Sequence, residues 1–150
     1  MAADSDLIKL YSQRILALAA DIPHRGALEA PQARVKKRAP LCGSTVTVDL
    51  SLTDGKVSAF AQDVKACALG QAAAALLGKH VIGRTRLEVE AARDALKAML
   101  KSDGPPPGSP WEGYEVLEPA KDYRNRHASI MLALDATADA MAEAERAACA

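Results

Sequence analysis

The sequence predicts an α+β fold, with a small three-stranded antiparallel sheet packed against about four to five helices. Three observations lead there. Residues 45–52 alternate apolar and polar side chains, and an Asp-Gly pair follows at Asp54-Gly55, the pattern of a β-hairpin. Several other segments repeat their apolar residues at helical spacing. Aromatic residues make up 3% of the chain while alanine is abundant, so the core is built from Leu, Ile, Val, Met and Ala. That favours close-packed helices over a large sandwich. The 150 residues are one domain's worth, with a core expected from about residue 5 to residue 146.

The elements follow in order. Residues 5–20 read as an amphipathic helix, with Leu7, Ile8, Tyr11, Ile15 and Leu18 on one stripe and Asp4 or Ser5 as cap. Ile22-Pro23-His24-Arg25-Gly26 breaks it. Residues 34–38 form a short basic run, Arg-Val-Lys-Lys-Arg, which reads as an edge strand guarded by lysines or as a docking patch for an acidic partner. In residues 45–52, Val46, Val48, Leu50 and Leu52 face the core. The chain returns from Val57 to about Lys65. From Cys67 an alanine-rich helix runs to Gly78 as its stop. Thr85 and Glu88 have capping-box spacing and open a helix to about Lys101, with Val89, Ala92, Leu96 and Met99 facing in. A proline-rich loop covers residues 103–110. A last helix spans about Arg126 to Arg146, with Ile130, Met131, Leu134, Ala138 and Met141 as its stripe.

Charge and composition exclude some functions. Lys plus Arg and Asp plus Glu each number 19, which argues against a general nucleic-acid binder. No stretch approaches the roughly 20 apolar residues of a membrane span. Asp4, Asp6, Lys9 and Arg14 interrupt any export signal, so a cytoplasmic protein with reduced thiols is expected. The three cysteines, Cys42, Cys67 and Cys149, form no C-x-x-C pair, so any metal site must be assembled by the fold.

Hairpin arithmetic suggests how. With a two-residue turn at Asp54-Gly55, Thr53 pairs with Lys56, Val48 with Ala61 and Val46 with Asp63, and the same rule carried onward sets Cys42 opposite Cys67. Paired residues have Cβ atoms about 4.5–5.5 Å apart, close enough for two thiolates to share a metal. A bulge would shift this register, and Gly43 is a place for one. Cys67 also begins a helix, where free N–H groups favour a thiolate. His127 lies three and four residues before Ile130 and Met131 and so shares their inward face. Read alone, His127 is a core histidine and the two cysteines are buried structural thiols. A Cys42–Cys67 disulfide fits the geometry but not the expected compartment. A Cys67–His127 hydrolase dyad lacks an oxyanion motif or a third orienting residue. Cys149, beside the C-terminus, reads as a frayed surface thiol.

These residues resemble the U-type iron–sulfur cluster scaffold family, which includes IscU, SufU and the N-terminal domain of NifU. The likeness runs from about Leu7 to Ala140. Leu7-Ile-Lys-Leu-Tyr11 looks like the family's first helix, and Ile22-Pro-His-Arg-Gly26 resembles its Asn-Pro-Arg-Asn-x-Gly turn. Ala39-Pro-Leu-Cys-Gly-Ser44 is similar to Asn-Pro-x-Cys-Gly-Asp, and Lys65-Ala-Cys-Ala-Leu-Gly70 stands where the second cysteine motif belongs. Arg124-Asn-Arg-His-Ala-Ser-Ile130 resembles Arg-x-x-Cys-Ala-x-Leu, with His127 at the third cysteine. The Gly113 region looks closer to the SufU branch, and the IscU chaperone motif Leu-Pro-Pro-Val-Lys is not evident.

The resemblance implies a SufE/NifU-like scaffold fold and a non-enzymatic role. Such scaffolds accept sulfur from a cysteine desulfurase, build a cluster with iron, and pass it to recipient apo-proteins; many also bind zinc. It implies Cys42, Cys67 and His127 as metal ligands, Cys67 as sulfur acceptor, and a 2Fe–2S cluster or zinc in the site. Two departures stand out. Ser44 replaces the family's aspartate, and His127 replaces a cysteine, which removes a nucleophile but keeps a ligand. The fourth position is left to water, Ser44, Asp63, Asp122 or an incoming persulfide. Besides the cluster scaffold, two readings stay open: a zinc-binding sulfur acceptor that partners a desulfurase, and a metal-free interaction module.

Overall fold

A computed structural model describes residues 11–149. Three antiparallel strands, β1 (Ala33–Arg38), β2 (Thr45–Thr53) and β3 (Lys56–Lys65), form a sheet in the order β1-β2-β3. The turn between β2 and β3 pairs Thr53 with Lys56, and Asp54 and Gly55 take φ of 54° and 76°. Both positive values are what a type I′ turn requires.

Beyond the turn the register departs from the simple count. A bulge at Ser51/Leu52 leaves Leu52 paired with Val57 but Ser51 with Ala59. Val48 therefore pairs with Gln62 and Val46 with Val64, not with Ala61 and Asp63. The cause is parity. Val57 and Phe60 are both buried although three residues apart, which strict alternation forbids. One extra residue restores it. Phe60, Gln62 and Val64 then face the helices beside Leu50, Val48 and Val46, and Asp63 turns outward, exposed. Pairing ends at Thr45–Lys65, so the ladder itself does not set Cys42 against Cys67. Gly43 is no bulge but a turn residue, at φ 71°.

One sheet face is covered by helices. Helix α1 (Gln13–Ala20) is capped by Ser12, whose Oγ accepts from the Ile15 N–H at 3.3 Å. The expected caps Asp4 and Ser5 and the stripe positions Leu7 and Ile8 lie outside the described residues. Helix α2 (Ala68–His80) runs through Gly78 rather than stopping there. At Gly78 a Cβ would meet Gln62 Nε2 at 3.0 Å and Pro23 O at 3.1 Å, so this glycine serves close packing. Helix α3 (Arg86–Ser102) starts from the expected capping box of Thr85 and Glu88. A 3-10 segment (Glu112–Asp122) leads into α4 (Arg124–Cys149), longer at both ends than its periodicity predicts. The Cys149 side chain lies outside the described part.

The predicted stripes of α3 and α4 are buried, including Ile130, Met131, Leu134, Ala138 and Met141 of α4, and so are Ile15 and Leu18 of α1, while Tyr11 and Leu52 are half-buried. Each large apolar side chain so buried contributes about 1.5–3 kcal/mol. Helix α4 crosses β1 and β2, α2 packs between α1 and α4, and α3 lies along α4. Asp49 points to the other sheet face yet is 2% exposed, because the segment before β1 covers it. Its carboxylate accepts from Arg34 Nε at 2.7 Å, Arg34 Nη2 at 2.8 Å and the Leu28 N–H at 3.0 Å. Those donors hold it below the usual carboxylate range. No helix among the described residues is long and apolar enough to cross a membrane.

Candidate cluster-binding site

The site forms where the loop before β2, the start of α2 and the second turn of α4 converge. The loop is closed on itself. The Ala39 N–H donates to Ser44 O at 2.8 Å, and the Gly43 N–H donates to Ala39 O at 2.9 Å. Cys42 stands exposed on this loop beside Leu41, while Ser44 is buried. Cys67 is the N-cap of α2, half-buried, with no side-chain capping bond. Both are free thiols.

Four side chains form a continuous line. Cys42 Sγ lies 3.1 Å from Ser44 Oγ, the Ser129 hydroxyl donates to Ser44 Oγ at 3.1 Å, and Cys67 Sγ lies 3.5 Å from Ser129 Oγ. Since Ser129 gives its hydrogen to Ser44, its oxygen is left to accept from Cys67. Ser44 in turn has its own hydrogen free for Cys42. Each step then donates toward Cys42. The Ser44 hydroxyl, with the Ser44 N–H and Ser129 behind it, stabilises the Cys42 thiolate and lowers its pKa from the usual thiol value.

Gly70 makes this approach possible. A Cβ there would stand 2.5 Å from Ser129 Oγ, 2.8 Å from Ala66 Cβ and 3.1 Å from Ser129 O. Only a residue without one lets α2 and α4 close to this distance.

His127 is drawn elsewhere. Its Nε2 donates to the carbonyls of Ala120 at 2.9 Å and Lys121 at 3.1 Å. Both partners are acceptors only, so Nε2 carries the hydrogen. Nδ1 is buried without a hydrogen-bond partner among the described residues. The side chain is inward, as its stripe predicts, but shares no hydrogen bond with either cysteine. Asp63 is exposed on the outer sheet face, paired through its backbone with Thr47. No three His, Cys, Asp or Glu side chains gather to hold a metal among the described residues. A cavity of about 830 Å³ opens beside Cys42, walled by Leu41 and by residues 122–126. Asp122, an expected alternative ligand, lines that wall.

Ser129 was not singled out by sequence. The signal was present: residues 128–134 carry no charge, so the helix is buried on several sides there, and a hydroxyl inside such a run needs a partner.

Solved structures with this fold are known. The N-terminal NifU-like protein from Brucella abortus superposes with a TM-score of 0.92 at 44% identity, over 94% of this chain and 98% of that one. The chain belongs to the U-type iron–sulfur scaffold family. A candidate iron–sulfur cluster assembly scaffold of the SUF system from Fervidobacterium islandicum AW-1 shares the U-type fold, with a TM-score of 0.81 at 18% identity over 89% of this chain and 98% of that one. A hypothetical protein solved at 2.3 Å shares it too, with a TM-score of 0.80 at 21% identity over 90% and 98% of the two chains. No family model and no curated protein matches the chain.

Proposed function

We propose that the chain works in iron–sulfur cluster assembly. In this reading it takes iron and a nascent 2Fe–2S cluster as cargo between Cys42 and Cys67. It accepts sulfur from a cysteine desulfurase and hands the cluster to apo-proteins. As the cluster forms, an external electron donor reduces the persulfide sulfur to sulfide, and the finished cluster is passed on, so the role is that of a scaffold and carrier and not an enzyme. The supporting observation is the pair of thiols joined through Ser44 and Ser129 beside an open cavity, in a chain of the U-type family.

Thiolates are the soft donors that iron and zinc favour, and neutral hydroxyls are poor ones. Two sulfurs flanking two hydroxyls suit loose holding, which is what transfer requires. His127 joins the ligand set through Nδ1, or through Nε2 once it leaves the carbonyls of Ala120 and Lys121. Exposure and the hydroxyl-stabilised thiolate favour Cys42 over Cys67 as the first sulfur acceptor. Persulfide mapping after incubation with a desulfurase and cysteine tests that choice.

Anaerobic reconstitution with iron, sulfide and a desulfurase tests the main reading. Visible-range cluster absorption is expected, and its loss in Cys67→Ser and in Cys42→Ser. Absence of absorption in the unmodified chain refutes it. The gathering of only two strong ligands favours a second reading, a sulfur acceptor whose zinc is held weakly or not at all. Zinc at one equivalent in protein purified from cells would support the zinc-bound form. A Cys42→Ala/His127→Ala variant with full activity in cells would point to a metal-free interaction module.

A further inference from the structure

The cavity beside Cys42 carries a charge that the two thiols do not account for. Its wall includes Arg124, exposed, and Arg126, half-buried, and neither forms an ion pair among the described residues. A third guanidinium approaches the loop: Arg38 Nη2 lies 4.0 Å from where a Cβ on Gly43 would stand. Asp122 supplies the only carboxylate in the lining. Two guanidiniums against one carboxylate line the cavity beside an exposed thiol, with a third at the neighbouring loop residue. The volume of about 830 Å³ falls within the roughly 300–1,000 Å³ that small-molecule sites span. The same site is short of sulfur, with two thiols, two hydroxyls and no third strong ligand gathered among the described residues.

We propose that this cavity is a subsite for a low-molecular-weight thiol bearing carboxylates. Its carboxylates pair with Arg124 and Arg126, in the forked geometry that guanidinium and carboxylate share, and its sulfur stands beside Cys42. There it supplies a sulfur donor that the chain lacks. That last role rests on the cluster-assembly reading; the binding itself does not. Without metal, the subsite shows itself through exchange. The Cys42 thiolate attacks a disulfide of the same thiol, one sulfur–sulfur bond forms as another breaks, and the second half leaves as thiolate.

The test uses the metal-free protein with two disulfides of opposite charge, oxidised glutathione (anionic) and cystamine (cationic). Mixed disulfide at Cys42 is followed by peptide mass spectrometry. Oxidised glutathione is expected to react about tenfold faster than cystamine, on the scale of local electrostatic steering. The preference should vanish in Arg124→Gln/Arg126→Gln, and in about 1 M salt, where screening acts within roughly 3 Å. S-methylglutathione, which keeps the carboxylates but has no free thiol, should slow the reaction. A thermal melt of the double variant matching the unmodified chain shows that the fold is intact. Equal rates for the two disulfides, or a preference that survives the double substitution, overturn the proposal. In a second arm the reconstituted protein is passed through gel filtration, and glutathione is expected to co-elute with the cluster. A cluster equally well retained with β-mercaptoethanol overturns the donor role. Failure to form any cluster, with the exchange preference intact, refutes cluster assembly and supports the subsite.

Discussion

Ser129 and His127 are two positions apart on α4 and do opposite things. Two steps along an α-helix turn a side chain by roughly 200°, so the two residues leave the helix on opposite sides. Ser129 meets Ser44 and Cys67. His127 meets the carbonyls that end the 3-10 segment. One face of this turn belongs to the site, and the other fastens the chain that leads into the helix. A sequence motif aligns residues along a line, whereas the site selects by angle.

Five substitutions sharpen or break that contrast. The largest effect is expected at His127. In His127→Ala the carbonyls of Ala120 and Lys121 lose their donor and the buried ring leaves a void, costing about 3 kcal/mol in chemical denaturation. Zinc affinity should fall as well, as the proposed ligand role requires; a change of less than about twofold would show that the ring serves only the 3-10 segment. Next is Ser129→Cys, which sets a third sulfur beside Cys67. Zinc affinity by competition with a chromophoric chelator should rise on the order of 10–100-fold, the scale on which site chemistry tunes metal binding. His127→Cys should give no such gain, and an equal gain from both would end the contrast. Gly70→Ala comes third. Its new methyl presses on Ser129 and Ala66, and a thermal melt should show a loss of about 1.5 kcal/mol.

The smallest effect concerns pH. The Ser44 hydroxyl holds the Cys42 thiol pKa below its usual value, so thiolate persists further toward neutral pH. Ser44→Ala removes that donor and raises the pKa. Alkylation of Cys42 by iodoacetamide near pH 7 should slow by about threefold, within the roughly 0.5–1.5 kcal/mol of one hydrogen bond. At pH well above the thiol range, the two proteins should react alike.

The sequence was most legible where periodicity and turn chemistry act alone. The Asp54-Gly55 turn, the capping box at Thr85 and the stripe of α4 follow from local rules and appear as expected. The hairpin register did not, although its cue was local: Val57 and Phe60 cannot both face inward without an extra residue between them. Helix ends were less legible, since Gly78 reads as a stop but is held inside α2 by tertiary contacts with Pro23 and Gln62. A simple hairpin register sets Cys42 against Cys67, but the bulge breaks it, and they meet instead through two hydroxyls, Ser44 of the same loop and Ser129 of α4. Ser129 is legible only through the uncharged run of residues 128–134 around it, a weaker cue than a cysteine or histidine carries by itself.

The loop that carries Cys42 has a mechanical consequence. Its two bonds, Ala39 to Ser44 and Gly43 to Ala39, make it a small closed ring hung on the end of β2. Cys67 is fixed to a rigid rod, the first residue before α2. One jaw of the site is thus bolted and the other is a latch. The latch is tied to the rest of the molecule through Ser44 and Ser129, so displacing it breaks no bond of the sheet ladder but costs that one contact with α4.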